Sequence, residues 1–167
     1  MIGTVKRGEE KGERTRRSRD TYGPKGGVRG CGYCESCGAV FCNKRWSHDE
    51  QALGTLKRTN GHSMTCPACQ RVSDKNPAGI ITLSGDHLKY HADEILNLVK
   101  HVASVVNAKN PLGRLMEVSE GKEAINIATT DDKLAQKLGK EIHKAHGGDL
   151  HFHWSDDQRL VRVNWSR

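Results

Sequence analysis

Nowhere in these 167 residues do about 18 apolar residues run consecutively, the length a membrane-spanning helix requires. The opening stretch MIGTVKRGEEKGERTRRSRD also lacks the apolar core of a signal peptide. Both absences predict a soluble, cytoplasmic protein. Thiols stay reduced in that compartment, so closely spaced cysteines serve there as metal ligands or redox groups more often than as structural disulfides. Hydrophobic residues make up only 35% of the chain, below the usual share, so part of its length is expected not to pack. The sequence is also poor in catalytic signatures. It has no nucleophile elbow, no phosphate-cradling glycine loop and no carboxylate–histidine set tied to an open metal position. SHDE, Ser47 to Glu50, hints at a nuclease but has no partner set. The expectation is a non-enzymatic protein without internal repeats.

Positive charge, by contrast, is in excess. A net charge of +7 and a pI near 9.2 point to a polyanionic partner, of which nucleic acid is the commonest. Residues 1–30 hold nine Lys or Arg against four acidic residues, a surplus of five, leaving +2 for the remaining 137. This segment, with Arg14, Arg16, Arg17 and Arg19 and a single aromatic, Tyr22, has the composition of a disordered tail. It reads either as a solubilising tail or as an RNA-contacting arm that orders on its partner.

Residues 31–75 alternate Cys, Gly and turn residues with a few apolar anchors, Val40, Phe41, Trp46, Leu53 and Leu56. Small cores rarely supply more than about 3–5 kcal/mol, so something else must hold this segment together. CGYCESCGAVFC, from Cys31 to Cys42, carries four of the six cysteines. A redox CxxC needs a buried strand before it to place the first thiol at a helix N-terminus, and GPKGGVRG provides none. The metal reading has a second half in CPAC, Cys66 to Cys69, and two CxxC pairs separated by a few tens of residues form the pattern of a tetrahedral four-cysteine zinc site. Gly38 follows Cys37 and frees that turn to adopt positive φ. The predicted ligands are therefore Cys34, Cys37, Cys66 and Cys69, with Cys31 and Cys42 as spares or alternates. Four thiolates leave no open position, so the Zn2+ is expected to be structural; an iron–sulfur cluster is the alternative.

From residue 76 to 167 the sequence becomes periodic. AGIITLSG reads as a strand. DHLKYHADEILNLVKHVASVVNAKN places Leu88, Ala92, Ile95, Val99, Val102 and Val106 on one helical face, with Asp86 as N-cap. LGRLMEV and EAINIAT read as strands joined at SEGK. TTDDKLAQKLGKEIHKAHGG is a second helix, from its Thr and Asp start to its Gly147-Gly148 stop. In the closing hairpin, alternation puts Leu150, Phe152 and Trp154 on one face, and Val161, Val163 and Trp165 on one face of the next strand. The order β-α-β-β-α-β-β predicts an α+β domain with two helices on one side of a mainly antiparallel sheet.

Nine histidines raise a second metal question. His87 and His91 are four apart on a helix, and His151 and His153 share a strand face, but no acidic ligand is placed to complete either pair; solvent-exposed or RNA-facing histidine is the preferred reading. On the second helix Lys133, Lys137, Lys140 and Lys144 fall in one narrow stripe away from Leu138 and Ile142. The stripe reads as phosphate-binding, with His151, His153 and Arg159 in reach, or as plain solubility helped by the helix dipole. Lys44, Arg45 and Trp46, together with LKRT, add basic residues beside an aromatic that either stacks on an unpaired base or packs beside the metal.

CESCGAVF followed by KRW, then CPAC, LSG, NPLGRLMEV, TTDDKLAQKLGKEIHKAHGG and VRVNW resemble the prokaryotic relatives of the large-ribosomal-subunit nuclear export adaptor family. The resemblance covers residues 31–167 and is most specific in the Thr-Asp opening, Lys-rich helix and double glycine. It implies a zinc-binding N-terminal module, and binding to the large ribosomal subunit or its rRNA at the matching basic positions. With fewer CxxC pairs, a shorter chain and no leucine-rich export tail, it does not imply nuclear shuttling. The sequence thus predicts a zinc-containing RNA-binding protein associated with the ribosome, or else a zinc-ribbon protein-interaction module in transcription or assembly.

Overall fold

The structure, a computed structural model, describes residues 10–11, 21–22, 30–155 and 158–167. Most of the predicted tail, including Arg14, Arg16, Arg17 and Arg19, lies outside the described residues. Two short pieces of it make contacts. β1 (Glu10–Lys11) pairs in parallel with one end of the larger sheet, where an edge strand leaves backbone groups open to pairing. Tyr22 donates its hydroxyl to Asp74 at 2.8 Å and places its ring 4.4 Å from the Arg71 guanidinium.

The cysteine segment folds around a four-stranded sheet in the order β4-β3-β2-β5. β2 (Gly32–Cys34) and β3 (Val40–Cys42) form an antiparallel hairpin, β4 (Arg45–Ser47) extends it, and β5 (His62–Met64) runs parallel to β2. Helix α1 (Glu50–Arg58) links β4 to β5. Asp49 caps it by accepting the Ala52 N–H at 2.9 Å, so SHDE is a helix start. Helix α2 (Pro67–Asp74) begins at CPAC, with Cys66 as N-cap and Pro67 in the first turn, where a missing N–H costs nothing.

The second part is built on a sheet ordered β1-β9-β10-β6-β8-β7. Its elements are β6 (Gly79–Ser84), α3 (Leu88–Lys109), β7 (Leu115–Glu120), β8 (Ala124–Thr129), α4 (Asp132–His146), β9 (Asp149–Trp154) and β10 (Val161–Ser166). With helices segregated from strands and both sheets mixed, the fold is α+β. β6 pairs in parallel with β10, while the β10/β9, β6/β8 and β8/β7 pairs are antiparallel. Burial alternates strictly along β6, β9 and β10. Ile81, Leu83, Phe152, Val163 and Trp165 therefore share one core with Ile95 and Val99 of α3 and Leu138 and Ile142 of α4. Gly139 lets α4 approach the sheet, since a Cβ there would lie 2.6 Å from Val163 Cγ1.

Two local expectations change. α3 is entered through His87, without a side-chain cap. Backbone bonds from Leu88 N–H to Gly85 and from Lys89 N–H to Asp86 close the entry, leaving the Asp86 carboxylate to pair with Lys89 at 2.6 Å. His151 and His153 are exposed at positions alternating with buried Leu150, Phe152 and Trp154, so they face away from the side that packs α4, out of reach of its lysines. No helix among the described residues is long and apolar enough to cross a membrane.

Candidate metal centre

Cys34, Cys37, Cys66 and Cys69 converge, their sulfur atoms all within 4.8 Å of one another. β2 ends at Cys34, and the turn that follows returns the chain to β3 through bonds from Gly38 N–H to Cys34 O (2.9 Å) and from Cys34 N–H to Ala39 O (2.8 Å). Gly38 takes φ +74°, a conformation with little cost only for glycine. The parallel pairing of β5 sets Met64 against Cys34, which delivers Cys66 two residues later. The α2 start then turns Cys69 back toward it.

The donor chemistry fits a metal ion. Cys34 and Cys69 sulfurs are 3.7 Å apart and those of Cys37 and Cys66 are 3.6 Å apart; a tetrahedron with sulfur arms of 2.3 Å has edges of ~3.8 Å. Backbone N–H groups point at the sulfurs, Cys66 N–H to Cys34 at 3.3 Å and Cys69 N–H to Cys66 at 3.4 Å. Burial opposes ionisation of Cys34, but the N–H groups of Cys66, Cys37 and Ser36 outweigh it and bring that thiol down to about 6. Burial pushes the thiols of Cys37 and Cys66 up. Four sulfurs close the coordination sphere, so the centre can hold an ion in place but offers no site for a reacting water.

Cys31 and Cys42 are not part of the cluster. They stand opposite one another across β2 and β3, with Cα atoms 4.5 Å apart, and form a disulfide. The register explains it, since Gly32 faces Phe41 and the next position outward brings the two cysteines together. Cys34 therefore belongs to the four-cysteine cluster and is not paired with Cys31.

Sequence spacing does not reveal Arg114, on the loop before β7. Its Nη2 donates to Cys69 Sγ at 3.1 Å and lies 4.0 Å from Cys66 Sγ. Leu112 of the same loop packs against the buried Cys34, Ala39, Cys66 and Ala68. His48 Nε2 meets Asn107 O at 2.9 Å, a second tie between the two parts of the chain.

Among the basic candidates, Lys133, Lys137, Lys140 and Lys144 are all exposed on α4, opposite its buried Leu134, Ala135, Leu138 and Ile142. Lys140 Nζ lies 5.8 Å from the Phe152 ring centre. Lys133 also lines a cavity of about 210 Å³ with Ala68 and Arg71 of the cysteine module. Arg159 is engaged by Asp132 at 2.7 Å and Asp131 at 3.4 Å. Lys44 on the β3–β4 turn and Arg45 at the start of β4 are exposed. Trp46 is half-buried, 5.1 Å from the Phe41 ring and packed against the cysteine cluster, so its ring serves the module core. His87 and His91 stack at 4.1 Å and are joined by His146, 3.2 Å from His87. Among the described residues, the only group with metal-ligand geometry is the cysteine cluster. In comparisons with protein-family models, curated proteins and solved structures, nothing matches this chain.

Proposed function

We propose that the chain is a non-enzymatic RNA-binding protein stabilised by structural Zn2+, and that its partner is the large ribosomal subunit or its rRNA. The observation that carries this reading is the exposed lysine stripe of α4, which starts at Lys133 beside the cysteine module. Four cationic side chains on one rigid face suit a polyphosphate backbone, and the exposed Lys44 and Arg45 add a further phosphate contact from the module. Zinc follows from the donor set, because four thiolates select zinc or an iron–sulfur cluster; a colourless protein with one zinc per chain decides between these. The ribosomal partner follows from the family resemblance.

Sedimentation of the tagged protein through a sucrose gradient tests the reading. Co-migration with the large-subunit or ribosome peak at low salt, abolished at high salt, is the expected result. Migration at the top of the gradient in both salts would overturn it and point to the protein-interaction module. Phosphate contacts also make log affinity fall by about 0.7–0.9 per contact per decade of salt, so a flat salt response with purified rRNA would equally count against it.

A further inference from the structure

Arg114 carries a positive charge into the seam between the cysteine module and the α+β domain. Among the described residues no carboxylate pairs with its guanidinium. Its Nη2 reaches Cys69 and Cys66, while its Nε is buried without a hydrogen-bond partner. Its backbone belongs firmly to the other side of the seam. Arg114 N–H donates to Thr130 Oγ1 at 2.9 Å, and Thr130 N–H donates to Arg114 O at 2.9 Å. Thr130 is itself buried, directly after β8.

We infer that Arg114 is a metal-dependent latch, which neutralises the ion-bound thiolates from the side of the α+β domain and so makes docking of the cysteine module depend on metal occupancy. A divalent ion held by four thiolates keeps a net negative charge, and a guanidinium N–H bonded to such a sulfur is charge-assisted. Without the ion the four sulfurs are no longer held at one point, and the half-buried guanidinium loses the fixed negative partner that its Nη2 reaches, with its Nε still buried and unpaired. Opening the seam hydrates Arg114 and removes that cost. Linkage makes the effect reciprocal: what metal does for docking, docking does for metal retention. Groups that orient or neutralise metal ligands from outside the coordination sphere change metal affinity by about 10–100-fold when removed.

The latch rests on the zinc part of the proposed function and is independent of RNA. The test uses the full chain loaded with zinc, wild type and Arg114→Met, with hydrogen exchange and competition against a chromophoric chelator as readouts. The variant is expected to bind zinc about 10–100-fold more weakly. At saturating zinc it should keep the Cys34–Ala39 amides protected while residues 110–114 exchange faster, which is a folded but undocked module. Arg114→Lys, retaining a charge without the fork, should fall between the two. Wild-type zinc affinity together with unchanged protection at 110–114 in Arg114→Met would overturn the latch. Should that variant not fold, the wild type decides. Chelation must speed exchange at 110–114 while β9 and β10 stay protected, and equal protection with and without zinc overturns the latch. A wild-type chain that takes up no zinc would instead overturn the zinc reading itself.

Discussion

Asp131 stands at the entrance to α4 beside Asp132, both facing Arg159. Burial raises its carboxyl, the Asp132 charge adds to the effect, and Arg159 only partly offsets them, leaving it at about 6 against an ordinary 3.8. A carboxyl raised on folding contributes stability below its unfolded pKa, and that contribution disappears as pH rises through the folded value. The group therefore favours the native state below about pH 4 and opposes it above about pH 6. Asp131→Asn is expected to stabilise the protein at pH 7 by on the order of 1–3 kcal/mol, with the gain shrinking toward pH 4. Thermal melts of wild type and variant across that window, at matched metal loading, check it. At the metal centre, Gly38→Ala forces a side chain into φ +74° with its Cβ 3.2 Å from Leu53 Cδ2. Metal binding should weaken by about fivefold, equivalent to about 1 kcal/mol, as read by chelator competition. Gly38 and the four cysteines are legible in the sequence because a CxxC-Gly turn is a local geometry. Arg114 is not, because its partner sulfurs lie 48 and 45 residues away in the chain.

Helix α4 presents two contrasting faces. Leu138 and Ile142 are fully buried, and Gly139 closes the distance to Val163, while the four lysines face solvent. Replacing Lys133, Lys137, Lys140 and Lys144 together with Gln should leave the fold intact, since exposed substitutions away from packed features stay within about 0.5 kcal/mol each. The salt slope of RNA binding should fall by about 0.7–0.9 for each phosphate that is no longer neutralised. Filter binding at several salt concentrations, beside a melting curve, separates the two effects. An unchanged slope would assign the stripe to solubility. The elements of the α+β domain are readable because each repeats its apolar residues at the period of its own backbone. The short strands of the cysteine module, three residues each, are too brief to show a period, and their pairing depends on the cysteine turns.

The two parts of the chain are held by unequal means. The α+β domain has one large core of side chains from both helices and the strands they cover. The module buries only Cys34, Ala39, Val40, Phe41, Cys66 and Ala68 as apolar residues among those described, too small a core for independent stability. Structural zinc supplies on the order of 10–16 kcal/mol in comparable small modules. Chelation is therefore expected to make residues 31–75 protease-sensitive while 76–167 persists as a resistant fragment, as resolved by limited proteolysis and mass spectrometry. Identical cleavage patterns with and without metal would contradict a structural role for the ion.

Residue order alone decided the helical and strand periods of 76–167, the four cysteines that cluster and the lysine stripe, because each depends on spacing within a few residues or on two short turns. Tertiary structure decided the rest. It paired β6 with β10 in parallel, turned His151 and His153 away from α4, brought Cys31 against Cys42, folded Trp46 onto the module and set Arg114 against the cysteine sulfurs. Those outcomes depend on which surfaces meet after the chain has closed on itself, and the energy of a contact between distant residues is not written in the spacing of either one.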